Sequence, residues 1–143
     1  MDDPCCKTLE KLIDIAEKLP KGIVYLAGPM RGIPHFNFPA FFEAESALRA
    51  GGAAVRPLLV MNPARMDIQV PLDWVKDFEK GVARDLEAVR AADGIALMQG
   101  WQDSVGAKAE LAVARWLKKF VIFQAPDLTW SFGTEDERWE VSL

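Results

Sequence analysis

The chain has 143 residues and a formal net charge of −4; half of its residues are hydrophobic and 27% are charged. That length suits one domain with one core, and the composition excludes a disordered chain. No cluster of Lys and Arg stands out, so duplex nucleic acid is excluded as a partner, because neutralising phosphates requires a basic face. The two cysteines, Cys5 and Cys6, are adjacent and His35 is the single histidine, so no metal site of the His/Cys type and no cofactor is expected. Neither a signal-type apolar segment nor a run long enough to span a bilayer is present, so the expectation is a cytoplasmic protein with no membrane association.

In chain order, residues 6–19 read as an amphipathic helix, with Leu9, Leu12, Ile13, Ala16 and Leu19 repeating at intervals of three and four. Pro20 and Gly22 end it, and the run Ile23-Val24-Tyr25-Leu26-Ala27 reads as a buried strand closed by Gly28-Pro29. After a loop over 30–37, Pro39 suits the first turn of a helix carrying Phe41, Phe42, Ala44, Ala47 and Leu48, capped by Gly51-Gly52. Ala53-Ala54-Val55-Arg56 is the expected second strand. Residues 57–71 hold three prolines and read as a long ordered loop of the kind found at active sites. A helical region follows over 72–92 with a break expected near Gly81. Ile95-Ala96-Leu97-Met98 is the third strand, 105–119 an alanine-rich helix, and Phe120-Val121-Ile122-Phe123 the fourth strand. The tail from Gln124 carries Trp130 and Trp139 and is expected to pack on the core or on a second subunit.

Continuous apolar strands alternating with helices imply a parallel sheet covered on both faces. The simplest topology is a flavodoxin-like, doubly wound three-layer sandwich with an extra N-terminal helix. All of 1–143 is read as one domain, with its core over about 22–124 and a tail over 125–143. Ligands in such folds bind beyond the carboxyl ends of the strands, which selects the loops after Ala27, Val55 and Met98.

The loop after the first strand, Gly28-Pro29-Met30-Arg31-Gly32, pairs glycines that admit a close ligand with a guanidinium suited to phosphate or carboxylate. It has neither Walker nor Rossmann spacing and reads equally well as an ordinary turn. In the third loop, Asp103 or Ser104 is a natural N-cap, and Gly106 and Ala107 keep the start of the helix slim. Glu110 follows one and a half turns in, beside small and apolar neighbours; burial raises its pKa and the helix dipole lowers it. Read alone, Glu110 also fits a surface salt bridge, Asp85 a solvated helix position, and Asp93 a turn or cap.

Taken in order, Tyr25-Leu26-Ala27-Gly28-Pro29-Met30-Arg31-Gly32, then Arg84-Asp85-Leu86 with Ala92-Asp93-Gly94, then Ser104-Val105-Gly106-Ala107-Lys108-Ala109-Glu110-Leu111 resemble the nucleoside 2-deoxyribosyltransferase superfamily. That superfamily includes the deoxynucleoside 5′-monophosphate N-glycosidases, and the resemblance is nearest to a branch of small bacterial and phage proteins with an Ala-Gly-Pro-Met-Arg-Gly loop. It spans about 23–123. It implies cleavage of the base–sugar bond of a nucleoside or its 5′-monophosphate, by hydrolysis or by transfer to a second base. Glu110 would be the nucleophile, and Asp85 the carboxylate that assists the departing base. Ser104 would bind a 5′-phosphate, and Tyr25, Gly28 and Arg31 would line the sugar and phosphate side, with Gly32, Asp93 and Gly106 also at the substrate. The implied partner is a small nucleoside or nucleotide, and the implied assembly a homodimer or larger homo-oligomer. The alternative is a nucleotide-binding or sensing module on the same fold that does no chemistry.

Overall fold

The apolar run after Gly22 forms strand β1 (Ile23–Ala27), hydrogen-bonded on both sides to parallel neighbours. The computed structural model describes residues 22–50 and 59–132. The helix expected over 6–19, the glycine cap at 51–52, the strand expected at 53–56 and Trp139 lie outside these residues.

After β1 come helix α1 (Phe38–Arg49), strand β2 (Leu59–Met61), helix α2 (Pro63–Gln69) and helix α3 (Phe78–Ala91). Strand β3 (Gly94–Leu97), helix α4 (Val105–Trp116) and strands β4 (Phe120–Gln124) and β5 (Trp130–Phe132) complete the order. The sheet runs β2-β1-β3-β4-β5, parallel throughout except for β5, which pairs antiparallel with β4.

Side chains on a strand alternate between faces, and here both faces are apolar because both are covered. Val24, Leu26, Ala96, Met98 and Ile122 pack under Phe41, Ala44 and Leu48 of α1 and Ala64 of α2. Tyr25, Ala27, Ile95, Leu97 and Val121 face the other way, against Ala88 and Val89 of α3 and Ala107, Leu111 and Ala114 of α4. The result is a three-layer α/β sandwich, as the strand and helix alternation implied.

Two expectations need correction. The stretch 57–71 is not one loop, for it holds β2 and α2. Pro63 sits in the first turn of α2, where the missing N–H costs nothing, so it opens the helix instead of interrupting it. The caps also decide the matter: buried Asn62 accepts from Ala64 N at 2.9 Å and donates to Phe41 O at 3.3 Å. Arg65 then ties α2 to α1 through Glu45, which is buried, at 2.7 Å.

The second correction concerns 72–92. Helix α3 starts only at Phe78 and runs unbroken through Gly81. Residues 74–76 form a turn, because the Asp73 carboxylate accepts from Val75 N at 2.9 Å and Lys76 N at 3.1 Å. Gly81 is buried against the ring of Trp74, and a side chain there would collide with it. The glycine serves a close approach and not a break.

The described part of the tail, as far as Phe132, packs on the core: Trp130 of β5 is buried and Phe132 lies against Phe120. Between β1 and α1, His35, Phe36 and Asn37 all adopt left-handed backbone, φ 53–60°. Asn37 Nδ2 holds that loop by donating to Pro29 O at 2.9 Å.

Asn62 joins two helices through one buried side chain. Asn62→Ala should therefore lose about 1–3 kcal/mol of stability from the lost cap of α2 and the lost bond to α1. Urea denaturation measures this, and an unchanged midpoint would mean that the cap does not hold α2.

Candidate active site

Strand order reverses direction between β1 and β3, and the loops leaving these two strands lie at the carboxyl ends, where folds of this kind hold their ligand crevice. Pro29 of the first loop packs on Gly100 of the second. Gly28 lies against Met98, and any Cβ at Gly28 would stand 2.8 Å from the Met98 sulfur. Its lack of a side chain is thus accounted for by packing at the floor of the crevice.

Tyr25, the chain's single tyrosine, points from the middle of β1 towards α3 and α4 and is fully buried. Its hydroxyl donates to Glu110 Oε2 in a short hydrogen bond. Glu110 faces the sheet because Ala107, Leu111 and Ala114 on the same helix are buried there. Residues three and four apart share a helix face, so the carboxyl is carried inward with them.

Removal from water pushes the Glu110 pKa up to about 8; the Tyr25 hydroxyl works against this and the charge of Asp85 adds to it. Burial also raises Asp85 on α3, to about 6, although the Arg84 guanidinium beside it pulls the other way. Asp85 ionises first, and Glu110 then titrates in the presence of its charge. Burial, followed by the charges of Glu110 and Asp85, keeps the Tyr25 hydroxyl protonated.

Arg84 links this pair to the mouth of the crevice. Its Nη2 donates to Asp85 Oδ1 at 3.0 Å and to Asp67 Oδ1 of α2 at 2.7 Å. Its Nε donates to Asp85 Oδ1 at 3.1 Å, while Nη1 is buried without a hydrogen-bond partner among the described residues. Trp74 lies over the guanidinium, 5.7 Å from ring centroid to Cζ, and its Nε1 donates to Asp67 Oδ2 at 3.2 Å. Phe78 meets Trp74 edge-on and carries Arg31 over its own face at 4.8 Å. Arg31, Trp74, Val75 and Phe78 line an open groove of about 600 Å³.

The expected residues thus divide. Tyr25, Glu110 and Asp85 form one group, in which Tyr25 is buried and the two carboxylic residues are half-buried. Arg31 stands at the exposed mouth, connected to them through Phe78, Trp74 and Arg84. Ser104 is the N-cap of α4 and accepts from Ala107 N at 3.1 Å. Gly106 is exposed at the open start of α4, and Gly32 is exposed in the first loop. Asp93 is elsewhere. It accepts from Ile23 N at 2.9 Å and donates its own N–H to Ile23 O, which puts it at the amino ends of β1 and β3. Its carboxylate ties two strands together at the edge opposite the crevice.

Asp67, Trp74, Phe78 and the bridging part of Arg84 were not singled out by the sequence. The available signal was position, because Asp67 follows the second parallel strand and Trp74 and Phe78 are spaced for contact. Among the described residues, no group of three or more His, Cys, Asp or Glu side chains is placed to hold a metal ion. No helix among them is long and apolar enough to cross a membrane.

An α/β sandwich with a tyrosine–carboxyl pair at its switch point is the class that fold and site define. The chain belongs to the family described as a domain of unknown function, DUF4406, which matches residues 22–123. That span takes in β1 through β4 and every residue of that group. No match to the chain is found among curated proteins.

The raised Glu110 pKa has a consequence for stability. Folded protein keeps a proton that the unfolded chain releases, so this contribution is present below the ordinary glutamate range and is lost as pH rises through about 8. Glu110→Gln has no proton to lose and can still accept from Tyr25. Its melting temperature should exceed the parent's by at least about 5 °C near pH 8.5, with the gap shrinking towards about pH 4. Calorimetry across pH tests this, and a gap independent of pH would contradict a neutral Glu110.

Proposed function

We propose that the protein cleaves the base–sugar bond of a nucleoside or its 5′-monophosphate, by hydrolysis or by transfer to a second base. The observation that carries this reading is the Tyr25–Glu110 pair with Asp85 beside it: two half-buried carboxyls held near one another, one of them gripped by a hydroxyl donor. The order of the motifs around Tyr25, Asp85 and Glu110, which resembles that of the nucleoside 2-deoxyribosyltransferase superfamily, adds to it. So does the strand order β2-β1-β3-β4-β5, which favours a flavodoxin-like sandwich with an antiparallel edge strand.

In this mechanism the two carboxyls share one proton between about pH 6 and 8, resting mainly on Glu110; the reactive form is the tautomer with that proton on Asp85 and with Glu110 as the carboxylate, stabilised by the Tyr25 hydroxyl. A Glu110 oxygen bonds to C1′ as the C1′–N bond breaks, and the base leaves with the electron pair and takes the proton from Asp85. A water oxygen then bonds to C1′, the ester bond to Glu110 breaks, and the water's proton passes to Asp85. A second base in place of water gives transfer. Arg31 at the groove mouth, with the Ser104 hydroxyl and the N–H groups at the start of α4, binds the 5′-phosphate. The protein works in the cytoplasm as a homodimer or larger homo-oligomer on this reading.

Chromatography of deoxynucleosides and their 5′-monophosphates after incubation should show free base. Glu110→Ala should cut that release by about a thousandfold or more, and equal rates would exclude Glu110 as the nucleophile. The rate should be bell-shaped in pH, falling below about 6, where both carboxyls are protonated, and above about 8, where neither is. A nucleotide that raises the melting temperature without any base release points instead to a binding module.

A further inference from the structure

The Arg84 guanidinium is shared. One face of the cation meets Asp85 through Nε at 3.1 Å and Nη2 at 3.0 Å, and the same Nη2 meets Asp67 at 2.7 Å. The shortest of these contacts goes to Asp67, a residue of α2 that makes no hydrogen bond to Glu110 or Tyr25 among the described residues. Asp67 is itself fixed by two donors, Arg84 on Oδ1 and the indole N–H of Trp74 on Oδ2. Its side chain is 9% exposed, so both carboxylate oxygens are committed in a largely water-free place. Trp74 in turn needs Gly81, the one position of α3 that lets the ring lie flat against the helix. Four positions on three separate segments therefore converge on how one cation is oriented.

We infer that Asp67 is the positioning residue of this site: by holding Arg84 it keeps the cation from closing wholly on Asp85, and so leaves Asp85 able to carry a proton to the departing base. The inference rests on the reading of Asp85 as that acid. An acid must be protonated to serve, and an arginine pressed against a carboxylate opposes this by favouring the charged form. A second carboxylate on the same guanidinium reduces that effect in two ways of the same sign. It draws the cation's N–H groups towards itself, and its negative charge repels a charge on Asp85. The groups that face Asp85 are Arg84 from α3 itself, Asp67 from α2, Tyr25 from β1 and Glu110 from α4. Asp67, like Arg84, has no place in the bond-making steps, and it does not contact Asp85 through a hydrogen bond of its own. Its charge can be removed without touching the reacting atoms.

The test is the ionisation of Asp85 in the full-length protein, followed by carbon NMR of the side-chain carboxyls, in the parent and in Asp67→Asn. The amide is isosteric and still offers Arg84 a carbonyl oxygen. Asp85 should bind its proton about tenfold more weakly in Asp67→Asn, the direction expected when the cation is released to it. In the same variant kcat should fall with KM little changed, and the pH window of base release should move to lower pH. Asp67→Glu, which restores the charge, should return part of both. Trp74→Phe keeps the charge but removes the anchor, and should weaken proton binding at Asp85 in the same direction by a smaller factor; it serves if Asp67→Asn does not fold. An Asp85 titration that moves in neither variant overturns the role of Asp67, even if the parent is active. A parent that releases no base overturns the glycosidic reading instead, and the titration still decides whether Asp67 governs Asp85.

Discussion

Burying the Glu110 carboxyl on the inner face of α4 is the constraint on which the rest of this site depends. An unpaired polar group in that position would cost several kcal/mol, so a partner has to come from the sheet. The partner is the Tyr25 hydroxyl, on β1, an interior strand of the sheet, reaching across the interface. For the bond to form, α4 must lie close to the sheet, and Ala107 and Ala114 make its inner face thin enough. The short apolar β1, the alanine-rich α4 and the single tyrosine are therefore parts of one arrangement.

Around that bond the molecule gathers charge where water is scarce. Asp85, Asp67 and Arg84 lie within reach of one another, and their mutual contacts replace the hydration they lose. A paired buried charge is tolerated where an isolated one would neutralise or open the structure. Here the pairing is uneven, since one guanidinium serves two carboxylates, and the protein retains protons in this region that the unfolded chain would release. The aromatic wall of Trp74 and Phe78 carries the cationic theme outward to Arg31 without adding further charge to the interior.

The opposite edge of the sheet uses an acidic residue in a different manner. Asp93 stands just before β3 as Gly28 stands just after β1; read alone Asp93 fits a turn or cap, and only the family resemblance placed it at a substrate. Asp93 instead closes the amino ends of β1 and β3 by bonding the Ile23 backbone, at an edge that faces no crevice. Parallel strands have two chemically different ends, and only one lies at the switch point. Direction in the sheet separated a structural carboxylate from the pair.

The layer order, the inward strands and the inward face of α4 followed from the sequence, because hydrophobic period reports which side of an element is buried. The Ser104 cap and the nearness of Tyr25, Asp85 and Glu110 to one another were likewise in reach, the last through motif order. The stretch 57–71 was misread because its prolines suggest a loop when counted, whereas Pro63 at a helix start and the buried Asn62 cap are favourable when located. Asp67 and Trp74 had no signature beyond their position along the chain. An aspartate on a short helix and a tryptophan in a turn acquire meaning only when α2 packs beside α3 and both reach Arg84. Periodicity is a property of neighbours along the chain, and it determined the sandwich; the seat of Glu110 against Tyr25 and the sharing of one cation between carboxylates from two helices are properties of distance in space, and only the tertiary structure decided them.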